Sequence, residues 1–167
     1  TVRDGGLIND HHFADAFVKA VYQACVEAGI DYMEIGYKAA KKIFARDKFG
    51  AWKFCDEDDV RRVVDDNPTP LKLSVMADAG KSDWRTDFLP KKQSALDMIR
   101  VAFYVNQVPE AVDMINDAAD KGYEVSANLM AVSRATDLEI EQTLELLAET
   151  PASVLVVVDS FGSLYAE

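Results

Sequence analysis

The sequence predicts an α/β fold built on a parallel sheet. Three observations carry that expectation. Segments of strand and helix character alternate along the 167 residues. The later strands (71–77, 98–105 and 154–158) are near-continuous apolar runs, as strands covered on both faces are. A helix–glycine–strand step recurs at Ala28-Gly29-Ile30 and Lys121-Gly122-Tyr123, a weak echo of a repeating βα unit.

The elements follow in order. Thr1-Val2-Arg3-Asp4 reads as a short first strand, and Gly5-Gly6 as the tight turn that ends it. Residues 13–28 form an amphipathic helix with Phe13, Ala16, Phe17, Ala20, Val21, Ala24 and Cys25 inward; Gly29 stops it. Residues 31–37 are a second strand, and 38–54 a long loop with a helical turn. Asp56 caps a helix that buries Val60, Val63 and Val64, and Asn67-Pro68-Thr69-Pro70 breaks it. After the third strand comes a loop over 78–96, then the fourth strand. Pro109 opens a helix with Ala111, Val112, Ile115, Ala118 and Ala119 inward, ended by Gly122. Residues 123–130 are a fifth strand. Thr136 and Glu139 form a capping box for a helix carrying Leu138, Ile140, Leu144 and Leu147. The sixth strand follows Pro151.

Composition bounds the function. The net charge of -11 and pI near 4.6 argue against nucleic-acid or anionic-membrane partners, which need a basic patch. No apolar run is long enough to span a membrane. Cys25 and Cys55 lack metal-ligand spacing and read as reduced thiols, so a cytoplasmic location is expected. His11 and His12 are the only histidines, too few for a His-rich metal site. Trp52, Phe54, Trp84 and Phe88 read as loop anchors. Lys38, Lys41 and Lys42 read as a solvated loop. Lys91 and Lys92 sit in a polar loop, unlike a desolvated Schiff-base lysine.

Each strand turns polar toward its C-terminal end. The residues are Arg3 and Asp4, Glu34, Asp78, Asn106 and Gln107, Ser126 and Asn128, then Asp159 and Ser160. In a parallel sheet these ends lie on one side, and in a closed barrel they converge on the catalytic mouth. Crowded carboxylates repel unless a cation neutralises them, and a hard divalent ion held by oxygens does so. Such an ion polarises a carbonyl and holds an enolate, and Arg3 adds a second positive charge.

Three motifs carry a family resemblance. Thr1-Val2-Arg3-Asp4-Gly5-Gly6 resembles the Asp/Thr-x-Arg-Asp/Glu-Gly signature of the metal-dependent TIM-barrel lyases and aldolases. Met33-Glu34-Ile35-Gly36 is similar to their second-strand Glu-x-Gly. Val158-Asp159-Ser160-Phe161-Gly162-Ser163 is similar to their sixth-strand Asp-Thr/Ser-x-Gly. That group includes 3-hydroxy-3-methylglutaryl-CoA lyase, 4-hydroxy-2-oxovalerate aldolase, the isopropylmalate and homocitrate synthases, and pyruvate-carboxyltransferase domains.

The resemblance implies a (β/α)8 TIM barrel, of which residues 1–167 supply about the first six βα units as one C-terminally incomplete domain. It implies making or breaking a C–C bond of a small 2-oxo or 3-hydroxy acid through a metal-stabilised enolate. Asp4 becomes a ligand of a divalent ion, Mn or Mg, and Arg3 the enolate-stabilising cation. Glu34 supports the metal shell or proton transfer. From their places at the strand ends, Asp78, Asn106, Asn128, Asp159 and Ser160 are the candidates to line the substrate. The family's remaining metal ligands are a His-x-His on strand seven, which this sequence lacks. The 4-hydroxy-2-oxovalerate aldolases carry a catalytic His just after Arg-Asp-Gly-x. Here that position is Leu7, leaving His11 and His12 as acid/base candidates. The alternatives are an acyl-CoA/oxo-acid condensing synthase or a non-catalytic barrel that binds a metabolite or partner. Self-association is left open.

Overall fold

The computed structural model describes residues 2–164. Five strands form one sheet: β1 (Tyr32–Tyr37), β2 (Lys72–Asp78), β3 (Met98–Phe103), β4 (Glu124–Leu129) and β5 (Val154–Val157). They pair in chain order, every pair parallel. Helices α3 (Glu57–Val64), α5 (Val108–Asp120) and α6 (Asp137–Ala148) lie in the connections, with a short α4 (Trp84–Asp87) before β3. Before β1 come α1 (Val2–Gly5) and α2 (Asp15–Glu27). Sequential parallel strands with intervening helices describe an arc of a (β/α) barrel.

The strands alternate more strictly than their apolar character suggests. Met33, Ile35, Leu73, Val75, Ala77, Ile99, Val101, Phe103, Val125, Ala127 and Leu129 are at most 1% exposed. They share one core with Val18, Tyr22, Val60, Val63, Val64, Met114 and Ile115 of the helices. The intervening positions include Glu34, Ser74, Arg100, Ser126 and Asn128, so the other face of the sheet is polar. Small or apolar residues on that second face, Met76 and Ala102 among them, mask the period of two in the sequence.

The first segment departs from expectation. Val2–Gly5 is a helical turn beside β1, not a strand. Gly6 N–H donates to the Val2 carbonyl at 3.0 Å, Leu7 to Asp4 at 3.1 Å and Ile8 to Gly5 at 3.2 Å. The backbone satisfies itself locally, in a stretch whose Asp and Gly residues favour no strand.

Helix α2 is also rotated from its apolar prediction. Val18 and Tyr22 are buried, while Phe17 is 51% exposed and Ala16, Ala20 and Ala24 face out. The Tyr22 hydroxyl donates to Asn67 Oδ1 at 2.7 Å, which turns that face toward the end of α3. Asp56 makes no side-chain cap for α3; it pairs with Lys41 at 2.9 Å and with Arg46. Lys38 is buried, its ammonium donating to the Cys55 carbonyl at 2.7 Å. The four aromatic loop anchors are buried as expected.

Gly36 sits at an irregularity in the β1–β2 register, where the pairing skips between Glu34 and Gly36. A Cβ there would stand 2.1 Å from the Trp52 carbonyl oxygen and 2.5 Å from Cys55 Sγ. The loop carrying Trp52 therefore packs directly on the strand backbone. Gly36→Ala is expected to cost about 3 kcal/mol or more in urea unfolding, as overpacking against rigid backbone does.

Candidate active site

At the C-terminal end of the strands a cavity of about 290 Å³ opens between the strand tips and α1. Its floor is an ion-pair cluster. Glu34, on β1, is 7% exposed. Arg3 Nε donates to Glu34 Oε2 at 2.7 Å, and Arg100 Nη1, from β3, donates to Oε1 at 2.6 Å. Arg100 Nη2 donates to Asn128 Oδ1 at 2.9 Å. Asn128 is fully buried on β4 and donates through Nδ2 to the Val101 and Ser126 carbonyls. Two guanidinium groups thus share one buried carboxylate.

Arg3 is also paired with Asp4, through Nη1 at 2.6 Å. Asp4 is 61% exposed at the cavity lip. The Arg3 guanidinium lies 5.7 Å from the centre of the Tyr37 ring, and the Lys53 ammonium 4.1 Å from that ring and 4.4 Å from Phe44. Burial pushes the Tyr37 hydroxyl up, against the pull of Arg3, and pushes the Lys53 ammonium down. Asp78 ends β2 and lines the cavity with Lys81.

The two histidines separate. His11 is 2% exposed, edge-on to Tyr37 with ring centres 5.4 Å apart. Its Nδ1 has no hydrogen-bond partner among the described residues. A Cβ on Gly6 would lie 2.0 Å from that nitrogen, so only glycine leaves it room. Burial first, then the Lys53 charge, bring the His11 pKa down to about 4. His12 is exposed and bonds the Lys48 carbonyl through Nε2 at 3.0 Å, fixing a loop.

Other expected residues are placed elsewhere. Asn106 is exposed, and its neighbour Gln107 lines the cavity instead, donating to the Ala79 carbonyl at 3.0 Å. Asp159 accepts from the Ser163 and Leu164 N–H groups at 3.0 and 2.9 Å, which hold its carboxyl below the usual range. Ser160 accepts from Ala131 N–H at 2.9 Å and ties two loops together. Asn128 lines the cavity, but its amide is committed to the floor. Sequence reasoning missed Arg100, Tyr37 and Lys81 as cavity residues, and of the strand-end pair Asn106-Gln107 it singled out Asn106 for the substrate. Arg100 had a signal: it is the one charge inside Met98-Ile99-Arg100-Val101-Ala102-Phe103, and a charge within a covered strand must find a partner.

Known proteins share this arrangement of chain. Over 166 residues, 98% of the chain, it is 24% identical to 4-hydroxy-2-oxovalerate aldolase 6 of Rhodococcus jostii, covering 46% of that protein. It is also 24% identical to 4-hydroxy-2-oxovalerate aldolase 2 of Salinispora arenicola, over 47% of its length. The chain is thus distantly similar in sequence to these aldolases. It spans about half the length of the curated relatives it matches. No family model matches it. The crystal structure of the N-terminal domain of a provisionally named aldolase from Bacteroides vulgatus superposes with a TM-score of 0.77 at 22% identity, covering 98% of this chain and 54% of the other. That likeness extends the fold over nearly the whole chain.

The metal expected from the aldolase resemblance finds no complete donor set here. Among the described residues, no three His, Cys, Asp or Glu side chains gather around a point that could hold an ion. Asp4 is ion-paired with Arg3, and Asp159 is bonded to backbone N–H groups. A divalent cation beside Asp4 would need ligands these residues do not supply.

The floor makes a quantitative statement. Glu34→Gln leaves two half-buried guanidinium groups without their shared carboxylate and is expected to cost about 3 kcal/mol in chemical unfolding. Glu124→Gln removes a comparable but exposed contact to Lys72 and Tyr32, and is expected to cost less than about 1 kcal/mol.

His11 predicts a pH dependence. Its folded-state pKa lies below the unfolded value, so the unfolded chain takes up a proton first as pH falls. Stability contributed by neutral His11 is present above about pH 6.5 and declines toward about 4. The melting temperature should fall between pH 6.5 and 5, and His11→Asn, which tolerates the positive φ of 63° at this position, should flatten that decline.

Proposed function

We propose that this chain carries the Arg3–Asp4 portion of an aldolase-type site, where a small 4-hydroxy-2-oxo acid is cleaved to a 2-oxo acid and an aldehyde. The observation that supports this best is the pair of arginines on the cavity floor. A cavity of about 290 Å³ suits a small ligand. Arg3 and Arg100 both line it, their charges offset by Asp4 and Glu34. Their remaining guanidinium N–H donors suit a substrate carboxylate. The relatives named as 4-hydroxy-2-oxovalerate aldolases support the same substrate class.

Retro-aldol cleavage needs two things from the protein. The hydroxyl must lose its proton, and the negative charge developing on the 2-oxo acid must be stabilised as the C–C bond breaks. Arg3 meets the second need. Nε and Nη1 are held by Glu34 and Asp4, which fixes the plane of the guanidinium. The Nη2 end is then a rigid donor for an enolate oxygen, acting without reorganisation. Arg100 and Asn128 brace Glu34 from below, so the orientation of Arg3 depends on strands β3 and β4.

The test is cleavage of 4-hydroxy-2-oxovalerate by the full-length protein, followed as pyruvate release. Arg3→Lys keeps the charge and loses the planar fork, and is expected to lower kcat by about 10²-fold. Release of no pyruvate by the parent protein, or an unimpaired Arg3→Lys variant, would remove this reading.

A further inference from the structure

Of the three carboxylates around the mouth, two are already engaged. Glu34 holds two arginines and Asp4 holds one. Asp78 is the third. It lies at the C-terminal end of β2, on the polar face of the sheet, and lines the cavity between Tyr37 and Lys81. Among the described residues it has neither an ion-pair partner nor a hydrogen-bond partner for its side chain. A half-buried carboxylate without a direct partner carries a desolvation penalty, which Lys81, Lys53 and Arg3 offset only through space. Its oxygens are uncommitted and face the cavity, where a ligand can meet them.

The groups facing it come from every neighbouring element: Lys81 from the loop after β2, Lys53 from the short turn at Ala51–Lys53, Arg3 from α1, Glu34 and Tyr37 from β1. Burial pushes the Asp78 carboxyl above the ordinary carboxylate range, while Lys81, Lys53 and Arg3 pull the other way. A carboxylate of raised basicity in a cavity is suited to accept a proton. His11 is placed less well. It touches Tyr37 from behind and does not line the cavity.

We infer that Asp78 is the proton-transfer residue of the site, accepting the substrate hydroxyl as a hydrogen bond and taking its proton as the C–C bond breaks. This rests on the proposed aldolase reading and assigns the step that reading leaves open. The O–H bond breaks and its proton passes to an Asp78 oxygen. The O–H electron pair becomes the aldehyde carbonyl, and the C3–C4 pair becomes the enolate beside Arg3. Asp78 then returns the proton to C3 of the enolate, yielding the 2-oxo acid. No outside oxidant, reductant or net proton is required.

The experiment uses the full-length protein with 4-hydroxy-2-oxovalerate as substrate and 2-oxovalerate, which lacks the hydroxyl, as a calorimetric binding probe. Asp78→Asn is expected to lower kcat by about 10²- to 10⁴-fold, the range for loss of a general base. It should bind 2-oxovalerate as the parent does, because that probe has no hydroxyl to recognise. Asp78→Glu should restore part of kcat. Asp78→Asn should also melt above the parent at neutral pH. The sign follows from the raised folded-state pKa: ionised Asp78 opposes folding at high pH, and that opposition fades as pH falls through its folded-state value.

A variant that keeps parental kcat would overturn the assignment while leaving the aldolase reading intact. So would one that loses 2-oxovalerate affinity in step with kcat, since that marks a structural role. A parent protein that releases no pyruvate from the substrate removes the aldolase reading itself, and the assignment with it.

Discussion

A buried carboxylate held by two arginines organises this molecule. Glu34 takes Arg3 from one side and Arg100 from the other, and Arg100 passes the connection to Asn128. Those contacts tie α1, β1, β3 and β4 through side chains alone. The cluster is internally consistent because each charged group is hydrogen-bonded, the condition under which a buried ion pair is tolerated. It also explains the position of α1. With its own backbone bonds closed locally, the segment has no ladder to join, and Arg3 anchors it to the sheet.

The sheet's two faces divide the work. The helix-facing side is apolar and closely packed, so it supplies the hydrophobic stabilisation. The opposite side holds Glu34, Arg100, Asn128, Asp78 and two cavities. Polar residues on that side have to satisfy one another or a ligand. Glu34, Arg100 and Asn128 do the former. Asp78 is left for the latter. The same logic separates the histidines: His12 is used by a loop carbonyl, while His11 is buried behind Tyr37 and kept neutral.

Much of this was legible. Val60, Val63 and Val64 face the core as their spacing predicts, and Thr136 with Glu139 forms the expected capping box. Arg3, Asp4 and Asp78 do meet at one mouth. Less legible were residues whose environment is set by distant partners. Asn106 and Gln107 are neighbours in sequence, yet a short 3-10 turn exposes one and aims the other inward. Asp159 and Ser160 resemble site residues but are bonded to loop backbone. Tyr22 escaped an apolar-only count because the partner that lets its hydroxyl be buried, Asn67, lies 45 positions along the chain.

The sequence by itself determined the parallel α/β class, the strand segments β1 to β5, the main helices and the concentration of charge at strand ends. These are local or periodic properties, carried by side-chain alternation, caps and breakers within a few residues. Tertiary structure decided the rest: that Val2–Gly5 coils instead of pairing, that α2 turns Tyr22 inward, and which strand-end carboxylates are neutralised. Pairing is a long-range event. Glu34 and Arg100 meet across 66 positions of chain, and only the fold brings them within hydrogen-bond reach.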